Sequence, residues 1–273
     1  MYFTCTFKLR KLVNKNRYFR RIMMTAITAS KTSLAEILYL RNLFLQENNF
    51  QIRYNACHER GWTDSYVLIN NNKKIGYGAV KGNENLTDRD TIFEFYLIPP
   101  FRNLSLAAFS ALLLASKARF IECQSNDLLL SSLLYQYGQN IHAAVVLLEE
   151  HTTSAIRMNG IVFRKRCATD IIFEHKAEPV GDYVLEINHE VVATGGFLLH
   201  YNMPFADLYM EVREDCRRKG LGSLLIQELK IQCYLAGRVP AARTGTENLA
   251  SRATLIKAGC RVAGYMLLGK VKS

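Results

Sequence analysis

Residues 207–223 read DLYMEVREDCRRKGLGS, and this stretch predicts a strand, a basic loop, a glycine turn and the first turn of a helix. Apolar and polar residues alternate from position 208 to 212, which is typical of a strand with two different faces. From Leu221 to Cys233 the apolar residues instead recur every three or four positions, as on one side of a helix. Gly237 and Pro240 then give a stop signal. The chain is organised around a strand that leads into a helix.

The loop between these elements has the composition of an anion site, and pyrophosphate is the anion that it suits best. Its glycines let the backbone adopt conformations that a side chain resists, and they let a ligand approach the main chain closely. Free N–H groups at the helix start and the positive end of the helix dipole attract an anion. Three consecutive cations add charge-assisted hydrogen bonds of roughly 1.5–3 kcal/mol each. The residues assigned to this site are Arg217, Arg218, Lys219, Gly220, Leu221, Gly222 and Ser223.

Three other interpretations of this loop can be weighed. A basic surface turn before an ordinary helix would carry the same residues, and the glycine pair alone does not exclude it. A dinucleotide-binding turn needs a third glycine soon after the first two, and residues 223–226 contain none. A P-loop needs a glycine run that ends in Lys-Ser or Lys-Thr, which the sequence lacks.

A second motif follows the loop and supports the pyrophosphate interpretation. Residues 239–246 predict a strand, and Asn248 then opens a predicted helix that ends at Gly259. Together the two motifs resemble the GNAT superfamily of acyl-CoA-dependent N-acetyltransferases over about residues 180–270. Members carry Arg or Gln, two residues, Gly, one residue and Gly or Ala after the fourth strand, which residues 217–222 match. They also carry an Asn that opens a helix ending in Gly-Phe, matched here except that Cys260 replaces the Phe.

The resemblance implies acetyl-CoA as cosubstrate, with the loop and Asn248 on its binding side. In the family, a backbone N–H of the strand ahead of the loop binds the thioester oxygen, and this donor corresponds to Val212 or its neighbour. Glu211 is the nearest carboxylate to that position. Its ordinary pKa of about 4.3 would have to rise by burial before it could serve as a general base near neutrality. A solvated glutamate, or one that binds the ammonium group of the substrate, is the alternative.

One departure from the family pattern concerns the general acid. Many members have a tyrosine that protonates or orients the departing CoA thiolate, and Leu255 stands at that position here. Tyr209 and Tyr265 are possible substitutes, although a tyrosine on a strand is more often part of the core. The sequence therefore leaves the acid unassigned.

The order of predicted elements repeats, which predicts an α/β chain of the α+β type with two lobes. The first lobe is predicted to contain helices within 30–49, a hairpin at 66–80, a strand at 91–98, a helix at 104–117, a strand at 120–124, a helix at 126–137 and a strand at 141–148. Short strands at 161–163 and 170–173 precede the second series, which starts at Tyr183. We expect two tandem GNAT-like lobes, at 25–152 and 153–273, each a mixed, mainly antiparallel twisted sheet flanked by helices. The first is interpreted as degenerate, because its loop at 99–104 has no glycine.

Composition and charge limit the class of protein. A hydrophobic share of 49% in 273 residues is ample for a packed core, and no apolar run reaches the length of a membrane-spanning helix. Seven of the eleven net positive charges lie in residues 1–24. We expect that segment to be a basic, disordered extension; a start at Met23 or Met24 and a targeting helix are the alternatives. The seven dispersed cysteines include no Cys-x-x-Cys pair, so we expect no metal site and a reducing, cytoplasmic location.

The function that we expect is transfer of an acetyl group from acetyl-CoA to an amine in a ternary complex. The acceptor could be a small molecule or an amine of a protein or peptide, and a homodimer is possible. A catalytically silent acyl-CoA-binding regulatory module is the alternative, favoured by Leu255 and by the degenerate first lobe. A nucleic-acid binder is a third hypothesis, but the body outside residues 1–24 has a surplus of only about four positive charges. We therefore expect no nucleic-acid or membrane partner.

Overall fold

The structure is a computed structural model that describes residues 27–51 and 54–272. The predicted extension at 1–24 lies outside the described residues. The first half of the chain contains six strands, four helices and a 3-10 turn at Pro99–Leu104. In order, these strands and helices are β1 (Thr28–Thr32), α1 (Leu34–Glu47), α2 (Tyr54–Glu59), β2 (Thr63–Asn70), β3 (Lys73–Lys81), β4 (Thr91–Leu97), α3 (Ser105–Ser116), β5 (Phe120–Gln124), α4 (Leu128–Tyr137) and β6 (Gly138–Glu150).

The second half repeats this order, except that an irregular segment at 166–182 replaces the first two helices. A 3-10 turn at Glu214–Cys216 takes the place of the turn at 99–104. The strands and helices are β7 (Ile161–Lys165), β8 (Tyr183–Ile187), β9 (Glu190–Leu198), β10 (Phe205–Val212), α5 (Leu221–Leu235), β11 (Val239–Gly245), α6 (Leu249–Lys257) and β12 (Cys260–Val271). The predicted class, an α/β (α+β) chain of two tandem lobes, is confirmed.

Two local predictions differ from the structure. The helix predicted within 30–49 starts only at Leu34, because the polar residues before it form the edge strand β1, which pairs with β2. The strand predicted at 170–173 is irregular. There the Asp170 carboxylate is held by Arg164 at 2.8 and 2.9 Å, and Ile171 is exposed to solvent. Side-chain bonds thus replace sheet pairing in this segment.

A single twelve-stranded sheet runs through both lobes in the order β1-β2-β3-β4-β5-β12-β6-β11-β10-β9-β8-β7. The last strands of the lobes are exchanged, since β12 lies between β5 and β6 while β6 pairs with β11. Each lobe therefore completes the sheet of the other, and β6 with β12 forms the central antiparallel pair. The division between residues 152 and 153 stays a prediction, and the sheet is continuous across it.

The two faces of the sheet are covered differently. Helices α3 and α4 in the first lobe and α5 and α6 in the second pack on one side, which we call the four-helix face. Along β6, Val146 and Leu148 point to this face, whereas Leu147 packs on the opposite face with Tyr54 of α2. In the first lobe α1 and α2 cover the opposite face; in the second lobe the segment 166–182 lies over β9 and β10 there. No helix in the described ranges is long and apolar enough to cross a membrane.

Candidate active site

The parallel strands β10 and β11 separate in the middle of the second lobe. They pair from Phe205 with Val239 to Asp207 with Ala241, and no further. Beyond Asp207, β10 continues its ladder with β9, and β11 continues its ladder with β6. A gap therefore opens between the carboxyl-terminal halves of the two strands. The basic loop begins at the same end of β10.

The register of β10 shows which main-chain groups line this gap. The Arg213 amide donates to Val192 of β9 at 2.9 Å, so the N–H groups that point toward β9 are those of Arg213 and of every second residue before it. The amides of Met210 and Val212 consequently point into the gap. Val212 was expected from the sequence; Met210 was missed, although the period of two along the strand is the signal that relates them.

The helix that follows begins with unsatisfied amides. Its first internal bond runs from the Leu224 amide to the Gly220 carbonyl at 3.1 Å, so the amides of Leu221, Gly222 and Ser223 have no helical acceptor. No side chain caps this helix. Arg218 and Gly220 have positive φ angles of 61° and 83°, which turn the chain so that the helix start faces the loop. This geometry suits an anion, as the sequence predicts.

The two glycines of the loop have different tasks. Gly220 needs its left-handed conformation, and a Cβ there would lie 2.9 Å from Met158 Cε. Gly222 is inside the first helical turn, where a Cβ would lie 3.0 Å from both Met210 Cε and Thr254 Cγ2. Gly222 therefore lets α5 pack closely on β10 and α6. The Ser223 hydroxyl also donates to the Thr254 carbonyl at 3.0 Å, which leaves its amide as the group that can reach a ligand.

Four cations surround the loop. Arg217 donates through Nε to the Val212 carbonyl at 3.0 Å, and its Nη2 lies 3.6 Å from Glu211 Oε1. Arg218 and Lys219 are exposed and make no ion pair within the described parts of the chain. Lys257 Nζ lies 3.6 Å from the position of a Cβ on Gly220. Lys257 comes from α6, far along the sequence, and no local pattern connects it to the loop.

Asn248 and Leu255 occupy opposite environments on α6. The Asn248 side chain is exposed and caps the helix, with Oδ1 accepting from the Ser251 amide at 3.0 Å. Leu255 is only 4% exposed and packs in the core of the four-helix face. The position that carries a tyrosine in many family members therefore supplies packing here.

The two candidate tyrosines lie on different faces. Tyr265 packs against the core of the four-helix face, and its main chain bonds to Ser125. Tyr209 lies on the opposite face, half-buried against Gly196. Burial first, and then the negative charges of Asp182 and Glu178, raise the pKa of Tyr209, so its hydroxyl stays protonated near neutrality. Of the two, Tyr209 is on the side of β10 that no helix covers.

Glu211 is held in a manner that does not suit a base. Its carboxylate accepts from three consecutive amides, those of Lys176 at 3.0 Å, Ala177 at 3.1 Å and Glu178 at 3.0 Å. Burial raises its pKa, but these three donors outweigh that effect and the pKa is lowered overall. The condition for catalysis at this position, a pKa raised toward neutrality, is not met. A catalytic role for Glu211 stays a prediction, and the geometry gives it another task, that of anchoring the segment 166–182.

Comparison with known proteins shows what the second lobe is similar to. Residues 148–259 match the model of the acetyltransferase (GNAT) family. An acetyltransferase of the GNAT family from Colwellia psychrerythraea is 13% identical, with a TM-score of 0.68 over 90% of this chain and 100% of that chain. A GCN5-related N-acetyltransferase from Sphaerobacter thermophilus is 12% identical, with a TM-score of 0.55 over 91% and 96%. A tandem GNAT protein from the clavulanic acid biosynthesis pathway is 10% identical, with a TM-score of 0.57 over 90% and 99%. No curated protein matches the sequence.

The separated strands, the helix start with free amides and the family match together support an acyltransferase fold. Residues 148–259 match the GNAT acetyltransferase family, and the likeness to a tandem GNAT protein supports two lobes of that fold. The family match supports acyl transfer as the general activity. Within residues 27–51 and 54–272, no group of three or more His, Cys, Asp or Glu side chains is arranged to hold a metal ion.

Proposed function

We propose that the protein is an N-acetyltransferase that moves an acetyl group from acetyl-CoA to an amine by direct attack in a ternary complex. The observation that carries this proposal is the gap between β10 and β11, which opens beyond Asp207 toward a helix start with free amides. A ligand with a pyrophosphate at one end and an amide-containing arm at the other fits both parts. The pyrophosphate takes the amides of residues 221–223, and the arm lies in the gap between the strands.

The amides of Met210 and Val212 then serve the arm and the thioester. Hydrogen-bond donors that are fixed before the reaction stabilise the negative charge that develops on the carbonyl oxygen, and they are worth several kcal/mol when they point at it. Either amide has the required direction. The cations of the loop, with Lys257 beside them, neutralise the phosphates.

The acceptor amine is expected to enter from the opposite face, where the first lobe reaches the second. Gln51 donates at 2.6 Å to Glu149 of β6, the first-lobe strand that pairs with β11 of the second lobe, and the Asn55 amide donates across the lobes to Asn202 Oδ1 at 2.8 Å. A cavity of about 310 Å³ lies between residues 45–50 of the first lobe and residues 202–205 of the second. Its size suits a small amine or the end of a peptide. The first lobe thus shapes acceptor specificity in this proposal.

A catalytically silent acyl-CoA-binding module is the second candidate. One observation favours it, because Leu255 is buried in the core at the position where many relatives place their acid. A silent module predicts acetyl-CoA binding without thiol release.

The two candidates separate in a thiol-release assay with acetyl-CoA and a library of small amines and peptides, run alongside calorimetric titration with acetyl-CoA. Release above the rate of spontaneous hydrolysis, dependent on the amine, supports the transferase. Tight binding with no release for any amine supports the silent module. No binding at all would reject both.

A further inference from the structure

Glu178 has a carboxyl without a hydrogen-bond partner among the described residues, whereas the Glu211 carboxylate is held by three amides. The Glu178 main chain is fixed on the opposite face of β10, since its amide lies 3.0 Å from Glu211 Oε2 and its carbonyl accepts from His175 Nδ1 at 2.9 Å. His175 Nε2 in turn lies 3.1 Å from Thr194 Oγ1 on β9. The segment that carries Glu178 is therefore tied to two strands of the second lobe, although it contains no regular secondary structure.

The side chain of Glu178 is unpaired, and its main chain is located beside the strand separation. The side chain is exposed, and its carboxyl makes no hydrogen bond or ion pair with the other described residues. Although the residue is exposed, partial loss of hydration at its carboxyl raises its pKa, as do the negative charges of Asp207 and Glu211, against the opposing charge of Arg243. Asp207 is the last residue of β10 that pairs with β11, and Arg243 is on β11 just beyond it. The Glu178 main chain thus lies over the half of β10 that borders the gap, since its amide contacts Glu211 beyond Asp207.

We propose that Glu178 accepts the proton of the acceptor ammonium group, and that Glu211 is a positioning residue which holds the Glu178 main chain over the gap. The inference rests on the proposed acetyl transfer. One arrangement then explains two observations. The Glu211 carboxylate is held by three amides, and the Glu178 carboxylate accepts no hydrogen bond from the other described residues.

The proposed step conserves protons and electron pairs. The acceptor ammonium gives one proton to the Glu178 carboxylate and becomes a neutral amine. Its lone pair forms the bond to the thioester carbon, and the C–S bond breaks with its electron pair on sulfur. The nitrogen loses a second proton, which the thiolate takes up, so that the products are an amide and free CoA. Glu178 then returns its proton to solvent.

This role predicts a dependence on pH. The charged or titratable groups that face Glu178 are Asp207, Tyr209 and Glu211 on β10, Arg243 on β11 and His175 on its own segment. A base works only when ionised, and the pKa of Glu178 is raised. We therefore expect kcat/KM of the wild type to fall on the acid side below the pKa of this group, in addition to the loss that comes from protonation of the amine itself.

The test uses the full chain and the amine that gives most thiol release. Glu178→Gln should lower kcat/KM about 100-fold at neutral pH, because general base catalysis typically contributes 10²–10⁴-fold. The deficit should shrink as pH rises and the free amine becomes abundant. Acetyl-CoA affinity should be unchanged in calorimetry. A purely structural role would not produce a deficit that depends on pH.

Glu211→Gln tests the positioning role through a second measurement. Hydrogen exchange at the amides of Lys176, Ala177 and Glu178 should become faster, since they lose their ionised acceptor. The double variant Glu178→Gln with Glu211→Gln should be no slower than Glu178→Gln alone, because the two residues act through one group. Glu174→Gln, in the same exposed segment, is the matched control and should leave both exchange and turnover unchanged.

The outcomes separate this inference from the function on which it rests. If the wild type releases no thiol with any amine, the proposed transferase fails and this role fails with it. Wild-type turnover combined with an unchanged rate and pH profile in Glu178→Gln would overturn the role of Glu178 alone. Unchanged exchange in Glu211→Gln would overturn the anchoring role.

Discussion

The two lobes build the same turn after their fourth strand, but only one of them leaves it open to an anion. In the first lobe Arg102 Nε donates to the Leu97 carbonyl at 3.2 Å, and in the second Arg217 Nε donates to the Val212 carbonyl at 3.0 Å. In both cases the arginine comes five residues after the carbonyl. Arg102 therefore occupies the place of Arg217, and the presence of a cation at this place does not by itself make an anion site.

The difference is in what surrounds the arginine. Arg102 is paired with Glu47 at the end of α1, and the Tyr96 hydroxyl donates to the same carboxylate at 2.6 Å. Pro99 and Pro100 have no N–H to donate, and the loop at 99–104 has no glycine. The second lobe has one more residue between the arginine and the helix, and this length accommodates the turn at Gly220. The loop of the first lobe is filled by the lobe's own side chains. The loop of the second lobe keeps free amides and two exposed cations, Arg218 and Lys219, that make no ion pair among the described residues.

The largest effect is expected from separating the lobes, since each completes the sheet of the other. Expressed alone, residues 25–152 would leave β5 and β6 without β12, and residues 153–273 would leave β12 without either neighbour. We expect neither half to show a cooperative unfolding transition by circular dichroism. Their mixture should regain one, because exposed edges pair readily.

A chain with a protease site inserted near residue 155 is the control, and it should stay assembled after cleavage. Cooperative unfolding and acetyl-CoA binding by residues 153–273 alone would show that the exchanged strands are not needed.

The second prediction concerns the loops. Arg217→Ala combined with Arg218→Ala should weaken acetyl-CoA binding by 100-fold or more, since each charge-assisted bond to a phosphate is worth roughly 1.5–3 kcal/mol. Arg102→Ala is the matched control and should leave the Kd unchanged, because Glu47 already neutralises that side chain. Calorimetry should give one acetyl-CoA per chain. Two sites, or weaker binding in Arg102→Ala, would contradict the difference between the lobes.

The loop, the strand before it and the repeated architecture could be predicted from the sequence, because each depends on residues close together in the chain. Gly220, Val212 and the helix from Leu221 follow from local spacing and chirality. The exchange of β6 and β12 could not be predicted, because either strand would suit either lobe by its pattern alone. Lys257 reaches the loop only through helix packing, and Glu178 becomes visible only once Glu211 is seen to hold its amide. The positions of Lys257 and Glu178 depend on contacts between residues far apart in the sequence, and local patterns do not reveal such contacts.

The third prediction concerns the opposite face of the first lobe, where α1 and α2 bury a charged cluster. Glu94 is fully buried, and its carboxylate accepts from Arg41 at 2.8 to 3.2 Å and from the Tyr77 hydroxyl at 3.0 Å. Arg41→Ala removes the guanidinium partner of this buried charge and leaves it with His58 and Tyr77, so it should cost about 3–5 kcal/mol in the free energy of unfolding. Lys74→Ala, which breaks an exposed pair with Glu36 in the same lobe, should leave the Tm unchanged. An equal effect in both variants would contradict the burial argument.

The same cluster sets a pH window. Burial raises the pKa of Glu94, but the charge of Arg41 and the contact with His58 outweigh this and hold the pKa at about 2, below its ordinary 4.5. The stability that this ionised group contributes is present above pH 4.5 and is lost as the pH falls from 4.5 toward 2. Thermal unfolding followed between pH 2.5 and 6 should show this loss in the wild type. The loss should be smaller in Arg41→Ala, where the pKa is no longer held down.

The smallest effect is expected from a pair of helix caps that the two lobes share. Asp127 accepts from the Leu130 amide at 3.0 Å at the start of α4, as Asn248 accepts from the Ser251 amide at the start of α6. Asp127 is buried, and burial raises its pKa to about 6 despite the amide donors. Because the folded pKa lies above the ordinary 3.8, ionisation destabilises the folded state, and stability falls as the pH rises from about 4 to 6.

Asp127→Asn keeps a cap of equal quality and removes the buried charge. It should raise the free energy of unfolding by roughly 1–3 kcal/mol at pH 7 and give no gain at pH 4, where the wild-type side chain is already protonated in the folded state. Denaturant titrations at the two pH values measure both. The exposed cap gives the matched control, since Asn248→Asp buries no charge and should change stability by less than about 0.5 kcal/mol. A gain from Asp127→Asn that persists at pH 4 would show that shape, and not ionisation, separates the two caps.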